Sequence, residues 1–369
     1  MQILYAPKLW VLALLAAISL PVSAQSLIIR RTTQTEIPTQ VDGNSPSFWR
    51  DGQFRYLTST GRPVILEGAG PLSLGGALPI ALDRMEHMPM WIESVWQDED
   101  GTLYGWYHHE PGGLCVGNTL TAPEIGAAIS RDGGSSFEDL GIVLKSGDPL
   151  DCNAKNGFFA GGHGDFSVIL DRDRTYFYFL FTNYGGGVES QGIAVARLAF
   201  EDRGNPTGAV RKYYDGDWTE PGVGGRVTPA FPAAVSWQSE KTDSLWGPAI
   251  SWNTYLEQYV ILLNHACCAT NWPQEGIFAT FVSDLSNPST WAAPYRILNN
   301  IGFGPGYYPQ VVGLNDGETD SISGQAARLY IQGRSYWEIE FSTEPPDTSL
   351  DPVDPNPPER TQLARRRRT

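Results

Sequence analysis

The sequence contains little of what builds helical or metal-rich proteins. Charged residues make up 18% of the 369-residue chain, there are only 4 cysteines and 5 histidines, and no long segment after the N-terminus has apolar residues at helical spacing. Gly (40) and Pro (27) are abundant, and aromatic residues reach 12%. Because this composition is typical of many short strands joined by tight turns, it predicts an all-β protein.

Positive charge is also scarce, since the formal net charge is −15. Nucleic acids and anionic membranes are bound by basic surfaces. The charge therefore argues against nucleic acid as a partner and favours a neutral or cationic ligand.

The N-terminal segment, residues 1–24, has the order of a secretory signal peptide. Lys8 precedes an apolar run from Leu9 to Leu20, and Pro21–Ala24 has the small-residue pattern of a signal-peptidase site. The run is short for a transmembrane helix, and no other candidate span follows. We expect a secreted or periplasmic protein that begins near Gln25; an uncleaved N-terminal anchor is the alternative.

In an exported chain the four cysteines are candidates for disulfides. Cys115 and Cys152 lie in two Gly-rich connections and could link two loops. Cys267 and Cys268 are adjacent, so they either form a vicinal disulfide or pair separately, which leaves three connectivities open. Because no Cys-x-x-Cys spacing is present, we do not expect these cysteines to bind metal.

A hairpin of two strands recurs along the chain. In its clearest copy, residues 161–184, Asp165–Leu170 alternates towards an apolar face, Asp171–Arg174 is a polar turn, and Thr175–Thr182 is rich in aromatic and β-branched residues. The other copies are residues 44–61, 91–109, 246–265 and 307–332.

Further strands complete each unit. Third strands are predicted at residues 124–130, 191–197 and 275–281, and fourth strands at residues 140–144 and 295–298. Four-stranded units that recur around a ring are typical of a β-propeller, so five copies predict a five-bladed propeller over residues 25–342. Ser26–Arg31 is a strand candidate that could close the ring. An irregular β-sandwich is the alternative.

Two segments outside the hairpins have a structural interpretation. Ser130–Phe137 matches the Asp-box pattern Ser-x-Asp-x-Gly-x-x-aromatic of sialidase-like propellers, so Asp132 is expected to fold a turn. Residues 343–369 are rich in Pro and Asp and end in Arg365–Arg368, which predicts a solvated tail outside the core.

In a propeller the first strands line the central axis, and their starts surround one mouth of a funnel. Two carboxylates there, Glu93 and Asp165, are the predicted acid/base pair, because a narrow mouth would push their pKa values apart. The aromatic residues Trp91, Trp246 and Tyr308 are the predicted platform on which a sugar ring stacks. Carboxylates and flat rings on one funnel suit a carbohydrate ligand.

The histidines are further candidates. His163 lies beside Asp165 and is expected to orient Asp165 or the sugar, whereas His87, His109 and His265 are candidate sugar-binding residues. A lone histidine is more often a hydrogen-bonded structural residue. Their spacing does not indicate a metal site, so no metal ligand is predicted.

Three motifs together resemble a known family. They are the Val-Trp-x-Asp-x-Asp-Gly-x-x-Tyr hairpin of residues 95–104, Gly-Asp-Phe-Ser-Val at 164–168 and Trp-Gly-Pro-Ala-Ile at 246–250. In order and spacing they resemble the five-bladed propeller glycosidases of the arabinanase, β-xylosidase and invertase type, over roughly residues 40–340. The resemblance implies a base at the start of blade one, a supporting aspartate in blade three and an acid glutamate in blade four. It also leaves an axial Ca²⁺ open as a cofactor.

The chain departs from this pattern at two of the three acidic positions. Asp165 matches the supporting aspartate, but Ser45 stands at the base position and Trp246 at the acid position. Since a tryptophan cannot protonate a leaving group, the usual mechanism does not carry over.

Three interpretations stay open. In a glycoside hydrolase of divergent mechanism, which we prefer, Glu93 is the acid and Asp42 or Asp165 is the base. The second is a polysaccharide lyase that uses His and Tyr side chains, and an acidic substrate would then need a basic funnel supplied by Arg50, Arg84, Arg226 or Arg334. The third is a non-catalytic glycan-binding propeller. We expect a monomer in each of these interpretations.

Overall fold

The computed structural model describes residues 25–299 and 306–344. The predicted signal segment 1–24 and nearly all of the predicted tail lie outside the described residues. Within the described part, no helix is long and apolar enough to span a bilayer.

The described ranges form twenty-four strands and three short 3₁₀ helices. The strands are β1 (Ser26–Glu36), β2 (Ser47–Arg50), β3 (Gln53–Thr58), β4 (Val64–Gly68), β5 (Leu78–Pro79), β6 (Ala81–Leu82), β7 (Met90–Gln97), β8 (Leu103–His109), β9 (Glu124–Ser130), β10 (Ser136–Leu144), β11 (His163–Leu170), β12 (Tyr176–Asn183), β13 (Gly192–Ala199), β14 (Arg211–Tyr214), β15 (Asp217–Pro221), β16 (Phe231–Pro232), β17 (Asp243–Asn253), β18 (Gln258–Cys267), β19 (Gln274–Val282), β20 (Tyr295–Asn299), β21 (Pro309–Gly313), β22 (Ile322–Ser323), β23 (Ala326–Ile331) and β24 (Arg334–Ser342). The 3₁₀ helices are Val188–Ser190, Phe200–Gly204 and Pro288–Thr290.

These strands form five mainly antiparallel sheets, which are the blades of a five-bladed β-propeller and confirm the predicted fold class. Blade one is β2-β3-β4-β5, and blade two is β7-β8-β9-β10 with β6 beside β10. Blade three is β11-β12-β13-β14-β15 with β16 beside β13, and blade four is β17-β18-β19-β20 with β22 beside β17. Blade five is β21-β23-β24-β1.

The ring is closed by the first strand of the chain, as Ser26–Arg31 suggested. Strand β1 pairs with β24 from Ser26 opposite Ser342 to Glu36 opposite Arg334, so it is longer than predicted. The outermost strand of blade five thus comes from the opposite end of the chain to the other three.

The apolar cores lie between neighbouring blades. In β12, Phe177, Phe179 and Phe181 are fully buried in the cluster that joins blades two and three. Tyr178 and Leu180, which point to the other face, belong to the cluster shared with blade four. Because both faces of the strand are covered, its sequence is continuously apolar rather than alternating. Each buried ring contributes about 2–3 kcal/mol of transfer free energy.

The Asp-box segment folds the turn between β9 and β10, as predicted. The Asp132 carboxylate accepts hydrogen bonds from Ser130 Oγ at 2.9 Å, from the Ser136 amide at 2.9 Å and from Ser136 Oγ at 2.6 Å. These bonds lower the pKa of Asp132, although its partial burial raises it. Its role is structural.

All four cysteines are paired. Cys115 and Cys152 form one disulfide, with their Cα atoms 5.4 Å apart, and the adjacent Cys267 and Cys268 form the other. The vicinal alternative of the sequence analysis is therefore the one found. Both disulfides lie in loops at the same mouth of the funnel, where the innermost strands begin.

Candidate active site

A pocket of about 310 Å³ occupies the mouth where the innermost strands begin and the second strands end. It is lined by Asp42, Trp91, Glu93, His108, Glu110, Phe158, Phe159, Asp165, Trp246, Asn271, Trp272, Gln274, Tyr307 and Tyr308. The predicted pair Glu93 and Asp165 and all three predicted stacking residues are among them. The convergence predicted from the repeat pattern is therefore present.

Asp165 reaches the pocket because of a bulge in β11. Gly164 pairs with Thr182 and Phe166 pairs with Phe181, so Asp165 is an extra residue without a partner on β12. Its φ is 42°, in the left-handed region that non-glycine residues rarely adopt. The bulge turns the Asp165 side chain away from the alternation of its neighbours.

Two tyrosines hold the Asp165 carboxylate. Tyr184 donates its hydroxyl proton to Oδ2 in a short hydrogen bond, and Tyr308 donates to Oδ1 at 3.1 Å. Burial raises the pKa of Asp165, while His108 and the tyrosine hydroxyls oppose this increase. Burial and the Asp165 charge raise the pKa of both tyrosines well above 10, so both stay protonated as donors. Asp165 is fixed in orientation, and its Coulombic partner of positive charge is His108, with donor atoms of the two side chains within 4.8 Å.

Glu93 lies deeper in the same pocket and is 2% exposed. Its Oε2 accepts a hydrogen bond from the Phe166 amide at 2.9 Å. Gly43, with a φ of 139°, passes so close that a Cβ there would lie 2.8 Å from Glu93 Oε1. Burial raises the pKa of Glu93 to about 7, even though His108 opposes the shift. Glu93 can therefore carry a proton near neutral pH.

His108 connects the buried carboxylate to one at the pocket surface. Its Nδ1 lies 3.6 Å from Glu93 Oε1, and its Nε2 lies 3.2 Å from Glu110 Oε1. Burial lowers the pKa of His108, but the two carboxylates outweigh burial and raise it well above 6.5. The Asp165 amide also points at Nδ1 from 3.2 Å, a contact suited to an unprotonated nitrogen. Glu110 and an ionised Glu93 favour the imidazolium, whereas the Asp165 amide favours the neutral ring, so the charge of His108 depends on the proton on Glu93.

Asp42 lies at the rim, just before the innermost strand of blade one, and its side chain is exposed. Desolvation of the carboxyl by the surrounding protein and the Glu110 charge raise the pKa of Asp42, whereas a hydrogen bond from Trp91 and the His108 charge lower it. Asp42 also borders a wider groove of about 880 Å³. Water therefore reaches Asp42 from outside the pocket.

Aromatic rings form the remaining walls. Trp246 is 4% exposed, packs against Tyr308 with ring centroids 5.6 Å apart and donates its Nε1 proton to Gln274 at 3.0 Å. Trp91 lies beside His108, with centroids 5.5 Å apart. The rings thus flank the carboxylates from blades two, four and five, as a sugar ring would require.

The position of His163 does not support its predicted role. Its Nε2 accepts a hydrogen bond from Lys212 Nζ at 2.8 Å, its ring packs on Phe181 at 4.7 Å, and it is not among the residues that line the pocket. Burial and the Lys212 charge lower the pKa of His163 well below 6.5, so the ring is a neutral acceptor. The bulge at Asp165 explains the difference, because it breaks the alternation that would have placed both side chains together.

The other three predicted histidines also lie outside the pocket. His87 Nδ1 is 2.6 Å from Asp139 Oδ2, and His109 Nδ1 is 3.2 Å from the Pro89 carbonyl oxygen. His265 lies between two carboxylates, with Nδ1 2.5 Å from Glu275 and Nε2 2.9 Å from Asp243. Each is engaged by neighbours in its own blade, which is the structural alternative stated for lone histidines.

Ser45 occupies the position where the resemblance implies a base. It is 1% exposed, and its amide donates to Gln310 Oε1 at 3.0 Å. The preceding Asn44 donates to the carbonyl oxygens of Phe166 at 2.7 Å and Pro248 at 2.8 Å, which ties blades one, three and four together below the pocket. This position therefore stabilises the centre of the ring.

Three side chains of the pocket carry atoms of the kind that bind metal ions. Glu93, His108 and Asp165 each offer one ligand atom, and these atoms lie within 4.8 Å of one another. However, both Asp165 oxygens accept tyrosine hydrogen bonds, and Glu93 Oε2 accepts the Phe166 amide. These contacts engage one lone pair of each oxygen, and His108 Nδ1 already faces the Asp165 amide, so no step is derived through a metal.

Several residues of the site, in the pocket or directly behind it, were missed or underrated from the sequence. His108 and Glu110 stand at the end of β8, and Tyr184 directly follows β12. The antiparallel hairpin was the available signal, because it returns the end of each second strand to the mouth where the first begins. Trp272 and Phe158 lie in irregular loops, for which no pattern was available.

Comparison with known proteins gives a likeness in structure alone. No family model matches the chain, and no curated protein matches it. An α-L-arabinofuranosidase from Lactobacillus brevis superimposes with a TM-score of 0.51 at 12% identity, over 88% of this chain and 98% of that chain.

Two further structures give lower scores. They are an endo-arabinase from Bacteroides thetaiotaomicron (13% identity, 83% of this chain and 95% of that chain, TM-score 0.48) and a putative exo-β-1,3-galactanase from Bifidobacterium bifidum (14% identity, 82% and 87%, TM-score 0.48). The resemblance to five-bladed propeller glycosidases is confirmed at the level of the fold.

Proposed function

We propose that this protein is an exported glycoside hydrolase of divergent mechanism that cleaves a neutral polysaccharide or oligosaccharide in the funnel pocket. The observation that carries the proposal is the meeting of four carboxylates, one histidine and a set of aromatic rings in a single pocket. Such a pocket combines proton transfer with stacking of sugar rings.

The carboxylates divide into buried and accessible groups. Glu93 and Asp165 have oxygens within 4.8 Å of each other, which is closer than the roughly 6.5–9.5 Å that an inverting pair needs for an intervening water. Glu93 and Asp165 are therefore not themselves the pair that flanks a water. An inverting mechanism then needs an additional carboxylate with access to solvent.

Asp42 supplies that carboxylate in our proposal. It is exposed at the rim and is assigned as the base that activates water. Glu93, whose pKa of about 7 lets it hold a proton, is the acid, and its proton is replenished through His108 and Glu110. Asp165, oriented by its two tyrosines, is the supporting carboxylate, as the family resemblance implies.

The charge of the pocket supports a neutral sugar. No lysine or arginine is among the described residues that line it. A uronate carboxylate would face Asp42, Glu93, Glu110 and Asp165 with only His108 to compensate. This disfavours the lyase, because none of Arg50, Arg84, Arg226 and Arg334 lines the pocket.

A non-catalytic glycan-binding propeller is the second candidate. The specific observation in its favour is that Ser45 is a buried structural residue and Trp246 replaces the expected acid. In that function the aromatic walls are kept while the acid/base chemistry is absent.

The test is activity of the whole protein on arabinan, xylan, β-1,3-galactan, polygalacturonate and alginate, with reducing ends and absorbance of unsaturated products followed together. Asp165→Asn and Asp42→Asn are expected to lower hydrolysis by about 10²–10⁴-fold. Asp173→Asn, in the exposed turn at the far end of the same hairpin, is the matched control.

Each outcome points to one function. Reducing ends without that absorbance, lost in the two variants and kept in the control, support the hydrolase. Absorbance from a uronate polymer would instead indicate the lyase, and glycan binding without any cleavage would indicate the binding propeller.

Export is the remaining part of the proposal. Two disulfides within one chain are typical of oxidising compartments outside the cytosol. Together with the sequence of residues 1–24 they support a secreted or periplasmic protein.

A further inference from the structure

We propose that Phe158 and Trp272 form a second sugar-binding position at the edge of the pocket, so that the ligand is an oligosaccharide of at least two sugar residues. This inference rests on the proposed carbohydrate ligand and adds the residues that bind its second sugar. Neither residue was singled out by the sequence.

Trp272 lines the pocket and carries a donor without a partner among the described residues. Its Nε1 is shielded from solvent and has no hydrogen-bond partner among the described residues. Buried polar groups are rarely left without a partner, and the indole N–H is a donor that sugar hydroxyls can accept. Because Trp272 lines the pocket, the missing partner is assigned to a sugar hydroxyl of the ligand, which reaches the shielded N–H once the indole turns towards it.

Phe158 supplies an apolar surface next to this donor. Its side chain is 52% exposed, and its ring centroid lies 4.9 Å from that of Trp272 with the planes at 44°. Sugar rings present C–H faces that can cover such exposed aromatic surface. The exposed ring and the unpaired donor are thus explained by the same ligand.

The loop that carries Trp272, between β18 and β19, is restrained in the absence of ligand. It begins at the Cys267–Cys268 disulfide and contains left-handed residues at Cys268 (φ 92°), Asn271 (φ 64°) and Trp272 (φ 46°). The Cys267 amide donates to the Pro273 carbonyl oxygen at 3.1 Å, which closes the loop. Fixing a binding loop in advance lowers the entropy lost on association.

Phe158 has a similar anchor. The segment that precedes it contains Cys152, which is bonded to Cys115 of the neighbouring loop. Asn156 then accepts hydrogen bonds from the amides of Phe158 at 2.7 Å and Phe159 at 2.8 Å. Each of the two contacting rings is thus carried by a loop that a disulfide restrains.

The experiment is isothermal titration of the full-length inactive Asp165→Asn protein with oligosaccharides of one to five residues prepared from arabinan, xylan and β-1,3-galactan. Affinity is expected to rise about tenfold or more from one residue to the longer sugars that fill both positions. Phe158→Ala and Trp272→Phe should remove most of this rise.

A matched control is available for the indole. Trp291 donates its Nε1 proton to the Asp284 carbonyl oxygen at 3.0 Å and lies outside the pocket, so Trp291→Phe should leave the rise intact. Thermal unfolding of every variant is measured alongside, and the exposed Phe158 gives a variant that is expected to fold even if Trp272→Phe does not.

The results separate the two proposals. An affinity that does not depend on oligosaccharide length would overturn the second position but not the proposed carbohydrate ligand. The same holds if the rise in affinity with length survives both Phe158→Ala and Trp272→Phe. Absence of binding at every length, together with absence of hydrolysis by the native protein, would overturn the proposed function and this position with it.

Discussion

Replacement of the buried Glu93 by glutamine should change how the stability of the protein depends on pH. Glu93 is 2% exposed, and burial raises its pKa from 4.5 to about 7. The folded protein therefore keeps a proton that the unfolded chain loses as pH rises from about 4.5 to about 7. An acid whose pKa is higher in the folded state stabilises that state at low pH. This stabilisation is lost as pH rises from about 4.5 to about 7.

The size of the effect follows from the same values. A tenfold difference in proton affinity corresponds to about 1.4 kcal/mol, so Glu93 should lower the free energy of unfolding by about 3 kcal/mol between pH 4.5 and pH 7.5. Glu93→Gln cannot ionise and should lose that part of the pH dependence. Its amide oxygen can still accept the Phe166 amide proton, which limits other damage.

The assay is urea denaturation at several pH values, followed by tryptophan fluorescence, for the native protein, Glu93→Gln and the surface control Glu240→Gln. The control should follow the native protein. If Glu93→Gln shows the same decline in unfolding free energy with pH as the native protein, the assignment of a proton to Glu93 near neutral pH is wrong.

Two further predictions concern stability alone. Phe179→Ala removes a fully buried ring that packs on Trp106 at 5.6 Å between blades two and three, and should cost about 3–5 kcal/mol in urea denaturation. A loss below about 1 kcal/mol would contradict the inter-blade core. Asp132→Ala breaks three hydrogen bonds of the β9–β10 turn and should cost about 1–2 kcal/mol without changing glycan binding. Altered binding would refute its purely structural role.

The blades could be predicted because each hairpin repeats one pattern of alternating and continuous apolar strands. The predicted strand Asp165–Leu170 is β11, which begins two residues earlier. The hairpin of β14 and β15 was missed, although Asp215-Gly216 between two short β-prone runs was a visible turn signal. Local patterns thus predicted most strands of the blades but not the additional hairpin of β14 and β15.

The pocket was harder to predict, because its geometry depends on departures from regular strands. Alternation places His163 and Asp165 on one face, and only the bulge at Asp165 separates them. His108 and His109 are neighbours in β8, yet adjacent strand residues point to opposite faces and only His108 lines the pocket. Trp272 depends on a vicinal disulfide and left-handed backbone, for which the sequence offers no periodic signal.

The pairing of β1 with β24, which completes blade five, affects the order in which the protein folds. The Ser26 hydroxyl donates to the Glu344 carbonyl oxygen, a contact between residues 318 positions apart. Apart from the two-residue strand β22, which joins blade four from a later part of the chain, blades one to four are each built from a continuous stretch, whereas blade five needs its earliest and latest strands at the same time. The strand β1, which is synthesised before the other described strands, is therefore among the last of them to find its partner, and until then its backbone edge stays open to other chains.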